Sequence, residues 1–475
     1  MTKPILLNAF EMLVPVHQSP GLWRHPEDQS RRYNELAYWT SLATTLEEGG
    51  FHGIFFADIL GQYDVYAGNA DEAVRGGVQY PMLDPLLIVS ALAAATHRIG
   101  FGVTASLTYE QPYLLARKFS TLDHLTNGRV AWNIVTSYQD SAAQNLGLTE
   151  QIPHDQRYDR AEEYMDVVYK LWEGSIDDDA VRADKAANIF ADPTKVRGIN
   201  HDGEHFTVPG PALTEPSPQR TPLLFQAGAS PRGQEFAANH AEAIFFSGYS
   251  TDLTRTWVDS IRAGLASQGR APDSVKIFAM ATVIVAETDE AATARLEDYT
   301  RYIDPQAALA LFAGWTGVDL STADLDSTLE YVQTEGNQSA LAAFTKLDPS
   351  RVWTVRELAH FVAIGGRGPV ITGSPSTVVD ELERWMAQGD VDGFNLSNAV
   401  RPADLEEFVR LVSPELRRRG LLQESPQPGK TLREAILGKG PRLAEDHYGT
   451  RFRPAASLSV RPTGVAKPRP FEAIR

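Results

Sequence analysis

Two segments of the sequence combine residue types and spacing that suit the binding of an anion. The first contains His154 and Tyr158, which stand four positions apart at the start of a helical pattern over 155–172. Both side chains therefore fall on one helix face, beside the positive N-terminal end that binds phosphate groups well. From spacing alone, Asp155 as a helix cap and Tyr158 as a core residue is an equally good interpretation.

The second segment, 226–233, follows a short apolar run and leads into a helix that Pro231 begins. Its small residues Gly228, Ala229 and Ser230 let backbone N–H groups approach an anion closely. The alternative is an ordinary tight turn between a strand and a helix. The segment lacks the Gly-Lys-Ser/Thr ending of a P-loop, and no Gly-x-Gly-x-x-Gly dinucleotide motif occurs in the chain, so tightly held NAD(P)H is not indicated.

Polar side chains stand at or near the ends of three further apolar runs. Asp58 closes one run, Thr104 lies near the end of another, and Asn133 interrupts a third. In a parallel barrel the carboxyl ends of the strands face the active site, so these side chains predict a polar ligand at the barrel mouth. Three structural alternatives stay open: Asp58 as a cap or an arginine partner, Thr104 bonded to a backbone carbonyl, and Asn133 as a satisfied core amide.

Three other segments contain residue types that could take part in chemistry or ligand binding. The segment 17–26 carries His17, Trp23 and His25 just after the first apolar run, and we interpret it as a loop that excludes water or grips a substrate, the alternative being surface polarity around one packed tryptophan. The segment 201–205 (His-Asp-Gly-Glu-His) differs from the helical His-Glu-x-x-His pattern, so we expect no metal site. The glycine-rich segment 365–369 has no helix directly after it.

Composition excludes several classes of function. The chain has 475 residues, no cysteine and a net charge of −17, so thiol chemistry and thiolate metal sites are excluded, and anionic nucleic acids or membranes are poor partners. A small molecule is the expected partner. The N-terminus shows no signal-peptide pattern, and the apolar stretch 85–96 is too short to span a bilayer, so we expect a cytoplasmic protein.

Short apolar runs alternate with helical patterns along most of the chain. Runs of this kind are typical of parallel strands covered on both faces, which predicts an α/β fold. The count of strands is close to eight and nucleotide motifs are absent, which favours a (β/α)8 TIM barrel over residues 1–420. Long insertions are expected at about 175–222 and 288–368, and an extended C-terminal tail at 421–475. The predicted strands are 6–10, 53–58, 99–106, 130–135, 223–227, 243–246, 275–286 and 392–396.

Several longer motifs resemble one known family, the luciferase-like flavin monooxygenases, and within it the branch of nitrilotriacetate and dibenzothiophene-sulfone monooxygenases. The resemblance covers most of the chain. It rests on the segments Phe55–Asp58, Phe101–Thr104, Glu110–Arg117, Thr121–Asn133, His154–Tyr158, Lys170–Trp172, Phe225–Ser230 and Asp392–Asn395.

The resemblance implies a (β/α)8 barrel that uses reduced FMN, delivered by a separate NADH-dependent flavin reductase. O₂ would then oxidise a small organosulfur or other heteroatom-containing compound through a flavin C4a-(hydro)peroxide. Family precedent also suggests a homodimer or homotetramer. A deazaflavin-dependent oxidoreductase of the same superfamily and a flavin-binding protein without catalysis are the alternatives, with a zinc-dependent barrel hydrolase further off.

The resemblance implies contacts with FMN, and the location and titration range of His17 give it an expected role in the chemistry. His17 is the expected catalytic proton donor or peroxide stabiliser. The substrate pocket is expected to contain Phe10, Trp23 and Phe56. The expected FMN contacts are Asp58, Thr104, Asn133, His154, Tyr158, Gly228, Ala229 and Ser230.

Overall fold

Eight parallel strands close into a barrel. The computed structural model describes residues 3–227, 230–334, 336–347, 351–422 and 429–454. Each barrel strand pairs with the next and β8 pairs with β1, which confirms the predicted TIM barrel. The strands are β1 Leu6–Glu11, β2 Gly53–Phe56, β3 Gly100–Ser106, β4 Val130–Val135, β5 Leu223–Gln226, β6 Ala243–Phe246, β7 Lys276–Val285 and β8 Gly393–Ser397.

A helix follows each strand and covers the outside of the barrel. Local signals start several of them: Pro112, Pro231 and Pro375 occupy first-turn positions, and the Ser230 hydroxyl accepts a hydrogen bond from a backbone N–H of the helix that it caps. The helices are α1 Leu36–Gly49, α2 Val89–Ala95, α3 Pro112–Leu125, α4 His154–Tyr169, α5 Pro231–His240, α6 Thr251–Ser267, α7 Pro375–Gly389 and α8, which runs through Ala403–Glu407, a π-helical turn Phe408–Val412 and Ser413–Arg418.

Alternation along the strands separates an inner core from an outer one. The side chains of Phe10, Phe55, Phe225 and Phe245 meet inside the barrel, where the Phe55 ring lies 5.4 Å from Phe225 and 5.5 Å from Phe245. Their sequence neighbours point outward against the helices. Because successive side chains of a strand point to opposite faces, two neighbouring residues face different sides, one the barrel interior and the other the helix layer.

Two short hairpins lie between α4 and β5. Val181–Asp184 pairs with Ile189–Ala191, and His201–Asp202 pairs with Thr207–Val208 around the turn at Gly203. The second hairpin is held against α4, because the Glu163 carboxylate accepts hydrogen bonds from the backbone N–H groups of His205 and Phe206.

A larger insertion stands between β7 and α7, over the carboxyl end of the barrel. Its described residues form four helices, and a short strand then pairs in parallel with the far end of β7. β7 is ten residues long, so it continues beyond the barrel mouth to support this layer. The elements are Asp289–Thr300, Pro305–Thr316, Gln338–Thr345, Val355–Val362 and the strand Val370–Gly373.

The C-terminal extension is not extended along its described part. A helix over Leu432–Leu437 places Leu432 and Ile436 in the inner cluster of the barrel, beside the start of β3. The spacing of these two residues, four apart, puts both on one helix face. The helix therefore closes the N-terminal end of the barrel, opposite the insertion. In the described part of the chain, no helix is both long and apolar enough to cross a membrane.

Candidate active site

A cavity of about 240 Å³ opens at the carboxyl ends of the barrel strands, beneath the β7–α7 insertion. This is the end of a TIM barrel at which active sites form. Most of the predicted site residues meet there. The predicted residues that line the cavity are Phe10, His17, Asp58, Thr104, Asn133, His154, Tyr158 and Ser230.

One wall of the cavity is polar but uncharged, and a chain of hydrogen bonds fixes it. The Thr104 hydroxyl donates to the Phe56 carbonyl at 2.8 Å and accepts from Asn133 Nδ2 at 2.8 Å. The amide of Asn133 is therefore held in one orientation. Its Oδ1 is buried and has no hydrogen-bond partner in the described structure. A buried amide oxygen of this kind can accept an N–H from a ligand.

Asp58 lies on the same side, just after β2. Burial raises the pKa of its carboxyl well above 3.8, and the charge of Asp84 raises it further, against a smaller opposing effect of a hydrogen bond from the Ile59 backbone. The proton is thus retained to higher pH than on an exposed aspartate. A protonated carboxyl can donate a hydrogen bond as well as accept one.

The opposite wall brings together the two segments predicted to bind an anion. His154 Nε2 lies 3.2 Å from Ser230 Oγ, and the His154 and Tyr158 rings are 5.2 Å apart. His154 begins α4 and Ser230 caps α5, so two helix N-termini converge on this wall. Gly228 and Ala229, which were predicted to complete the cradle, lie outside the described residues.

Arg157 strengthens this wall, although no role was predicted for it. Its guanidinium is buried, lines the cavity and donates to the carbonyl of Ser137, a residue that adopts a left-handed backbone conformation with φ = 56°. A signal was present, because Arg157 stands on the same helical turn as His154 and Tyr158. With the two helix ends it makes the wall electropositive.

His17 lies deep in the cavity, with its ring 4.5 Å from that of Phe10. Burial lowers the pKa of His17 well below 6.5, and the charge of Arg401 lowers it further, while a hydrogen bond with the Phe10 backbone opposes both. The imidazole is therefore neutral at pH 7. Its Nε2 is buried without a hydrogen-bond partner among the residues described.

A chain of polar groups next to His17 was not predicted. Gln79 Nε2 donates to the His17 carbonyl at 3.2 Å, Tyr63 donates to Gln79 Oε1 at 2.9 Å, and the hydroxyls of Tyr63 and Tyr138 are 3.1 Å apart. All four residues line the cavity. Burial raises the pKa of both tyrosines, so both hydroxyls stay protonated and available as donors.

Two predicted substrate contacts, Phe56 and Trp23, do not line the cavity. Phe56 points away from the barrel interior and packs against Trp39 of α1, with ring centroids 5.9 Å apart, whereas its neighbour Phe55 lines the cavity. Trp23 does not line the cavity and is 38% exposed, because the short helical turn Leu22–Arg24 buries Leu22 instead.

A metal centre has no basis in the described part of the chain, where no group of three or more His, Cys, Asp or Glu side chains could hold an ion. The His201 ring is instead engaged by two neighbours. Its Nε2 lies 3.0 Å from Glu163 Oε1 and its Nδ1 lies 2.8 Å from Lys170 Nζ. The ring thus ties a hairpin to α4.

The site lies at the mouth of a TIM barrel, where an electropositive wall faces a neutral polar wall, and comparison with known proteins gives the family. A model of the luciferase-like monooxygenases matches residues 10–421, so the chain belongs to that family. The family resemblance seen in the motifs is thereby confirmed.

Individual relatives cover nearly the whole chain. The chain is 48% identical over 471 residues to a dimethyl-sulfide monooxygenase of Hyphomicrobium sulfonivorans, covering 99% of this chain and 98% of the relative. That enzyme is also the one that the N-terminal motifs 7–10, 17–19 and 23–26 most resemble. A long-chain alkane monooxygenase of Geobacillus thermodenitrificans is 45% identical over 458 residues, which cover 96% of this chain and 100% of the relative. A crystal structure of riboflavin lyase with modified FMN and riboflavin matches with a TM-score of 0.89 at 36% identity, and the match covers 95% of this chain and 100% of that chain.

Proposed function

We propose that this protein is the oxygenase of a two-component system, which uses reduced FMN and O₂ to oxidise a small organosulfur or other heteroatom-containing compound. The observation that carries the proposal is the convergence of an electropositive wall and a neutral polar wall in one cavity. A flavin mononucleotide has the matching halves, a phosphate and a ring system with N–H and carbonyl groups.

The residues present fit FMN. His154, Tyr158 and Ser230 would hold the phosphate, supported by Arg157 and the N-termini of α4 and α5. The unpartnered Asn133 Oδ1 would accept a ring N–H. When bound, reduced FMN supplies the electrons that activate O₂. The structure of a relative with modified FMN supports the same cofactor.

The chain's own part in the reaction is to exclude water and manage protons. Phe10, Phe55 and Phe245 form an apolar floor to the cavity. His17 presents a neutral imidazole whose Nε2 is free to exchange a proton with a bound group. The Tyr63 and Gln79 side chains hold the backbone of His17 in place.

The partner proposed for this system is an NADH-dependent flavin reductase, because the chain has no dinucleotide motif of its own. A homodimer or homotetramer is proposed from family precedent. The reductase would thus use NADH and this protein would use O₂, with reduced FMN passing from the reductase to this protein.

Replacing Ser230 by alanine tests the cofactor assignment. Loss of the hydroxyl removes a hydrogen bond to a charged phosphate, so S230A should weaken the binding of reduced FMN roughly tenfold or more. The measurement is an anaerobic fluorescence titration. Ser250 is the matched control, because it caps α6 with the same hydroxyl-to-backbone hydrogen bond and does not line the cavity. Equal FMN affinities for S230A and S250A would contradict the assignment.

Replacing His17 by glutamine tests the proton role separately. H17Q keeps a polar side chain of similar reach but cannot exchange a proton, so we expect reduced-FMN affinity within about twofold of wild type and turnover lowered roughly 10²-fold. Stopped-flow measurement of flavin oxidation and product yield gives both numbers. Unchanged turnover in H17Q would remove His17 from the chemistry.

A further inference from the structure

Arg367 places a positive charge at the cavity that the proposed function does not use. It stands on the loop 363–369, between the helix Val355–Val362 and the strand Val370–Gly373, and it lines the cavity beside Trp315. Its guanidinium carbon lies 4.8 Å from the centre of the Trp315 ring. This cation–π contact holds the guanidinium against the indole ring.

The loop that carries Arg367 is fixed closely against the barrel. The Gly365 N–H donates to Ser19 Oγ at 3.0 Å, and Gly365 and Gly366 adopt left-handed conformations with φ of 78° and 70°. A Cβ at Gly366 would collide with Gln18 Oε1, and one at Gly368 would stand 2.9 Å from the Met280 carbonyl. Only glycine fits these positions, so the loop holds Arg367 in a defined place.

Arg367 has no counter-ion in the described structure. It takes part in none of the hydrogen bonds or ion pairs found there, and its Nε is fully buried. Tyr63 and Tyr138 are the ionisable groups that act on it, and both are protonated and neutral. Burial lowers the pKa of Arg367, yet a guanidinium stays protonated at pH 7. Arg367 is half-buried at the cavity wall, and a partly desolvated cation without a partner is costly, which is typical of a site completed by an anionic ligand.

The phosphate wall is a different part of the cavity. The cations that act on Tyr158 are Arg157 and Arg232, whereas Arg367 acts on Tyr63 and Tyr138, next to His17. The charge of Arg367 is therefore directed at the region where a proton is proposed to be exchanged, not at the phosphate.

We propose that Arg367 binds the carboxylate or sulfonate of the organic substrate, so that the preferred substrates are small anionic organosulfur compounds rather than uncharged ones. The inference rests on the proposed function of the cavity. It makes Arg367 a residue that determines specificity, with Trp315 and the glycine loop as its positioning elements.

A matched pair of thioethers tests the proposal. 3-(Methylthio)propanoate and 3-(methylthio)propanamide have nearly the same shape and differ in charge. Calorimetric titration of the wild-type protein loaded with oxidised FMN should show the carboxylate binding about tenfold or more tightly. R367Q should lose this preference and R367K should keep part of it. R356Q is the control, because Arg356 lies in the same insertion but pairs with Asp326 at the surface.

Two results would overturn the proposal: equal affinity of the wild type for the two thioethers, or an unchanged preference in R367Q. If R367Q instead weakens the binding of reduced FMN and leaves the preference intact, Arg367 serves the flavin and the proposal is wrong. Failure of the proposed function looks different, since the wild type would then bind no reduced FMN and oxidise neither thioether.

Discussion

At the scale of single residues, the cavity is built from ionisable groups that burial keeps neutral. Asp58 keeps its proton to higher pH than usual, His17 loses its proton at lower pH, and the pKa values of Tyr63 and Tyr138 are raised. Among the described residues that line the cavity, the arginine and lysine side chains are Arg157 and Arg367. A ligand with two anionic groups, or two ligands with one each, would match that distribution.

Asp58 predicts a pH dependence of FMN binding. Its pKa is raised, so the carboxyl ionises as the pH rises through a range above 3.8, and a bound flavin that covers it would favour the protonated form. FMN affinity of the wild type should therefore fall with rising pH relative to D58N, which stays neutral. Titrations between pH 5 and about 9 measure the ratio of the two dissociation constants. A constant ratio would show that Asp58 does not face the flavin.

Sequence reasoning found the polar residues of the cavity better than the apolar ones. Asp58, Thr104 and Asn133 can be predicted because they lie at or near the carboxyl ends of strands, which face the active site in a barrel. Phe56 was chosen over Phe55 because a run of two phenylalanines gives no sign of which faces inward; only the strand register decides it. Arg367 was overlooked because its glycine-rich segment was compared with phosphate loops, which need a helix directly after them.

At the scale of elements, the loop after β1 and the β7–α7 insertion hold each other in place. His25 Nε2 lies 2.9 Å from Asp298 Oδ2, the Asp304 N–H donates to the Pro20 carbonyl at 3.0 Å, and Ser19 holds Gly365. The loop 17–26, which was predicted to exclude water from a substrate, is thus held in place by the β7–α7 insertion. His17 on one element and Arg367 on the other are positioned by the same contacts.

Gly366 provides a test of this interlock. G366A forces a left-handed alanine and a collision with Gln18, so it should displace Arg367 and abolish the preference for 3-(methylthio)propanoate. Gly269 is the control, because its φ of 73° is nearly the same but no atom lies within 4 Å of the added Cβ. G269A should lose roughly 1–2 kcal/mol of stability and keep the preference. Matched thermal unfolding and calorimetry would distinguish them, and equal behaviour of both variants would contradict the interlock.

Most barrel elements could be predicted from periodicity, but the arrangement of the insertion could not. The bounds predicted for strands 130–135 and 243–246 agree with the structure to the residue, since short apolar runs mark these strands clearly. The helix Pro305–Thr316 is buried on all sides from Ala307 onward, so it has no polar face whose spacing could place it.

At the scale of the whole molecule, the barrel is closed at one end by its own C-terminal extension and roofed at the other by the insertion. The closure by the C-terminal extension depends on a buried ion pair. Arg433 donates to both carboxylate oxygens of Glu242, at 2.7 and 2.8 Å, and to the carbonyls of Thr221, Pro222 and Pro441. Charge and backbone dipoles thus fix the helix Leu432–Leu437 against the strand ends.

Removing Arg433 should therefore destabilise the whole fold. R433M leaves Glu242 buried without its cation, and such a loss costs roughly 3–5 kcal/mol. R418M, which breaks the exposed pair of Arg418 with Glu415, should cost at most about 1 kcal/mol. Urea unfolding gives both free energies. A cost for R433M no larger than that for R418M would mean that the extension does not stabilise the barrel.

The central claim is oxygenation at the expense of reduced FMN. The most direct measurement mixes the protein with chemically reduced FMN, without any reductase, and then with O₂ and a panel of thioethers and sulfones that includes 3-(methylthio)propanoate. We expect loss of an organosulfur compound in step with the reduced FMN oxidised, approaching one to one. Complete oxidation of the reduced FMN with reduction of O₂ to an equal amount of hydrogen peroxide, and with every compound of the panel unchanged, would contradict the claim.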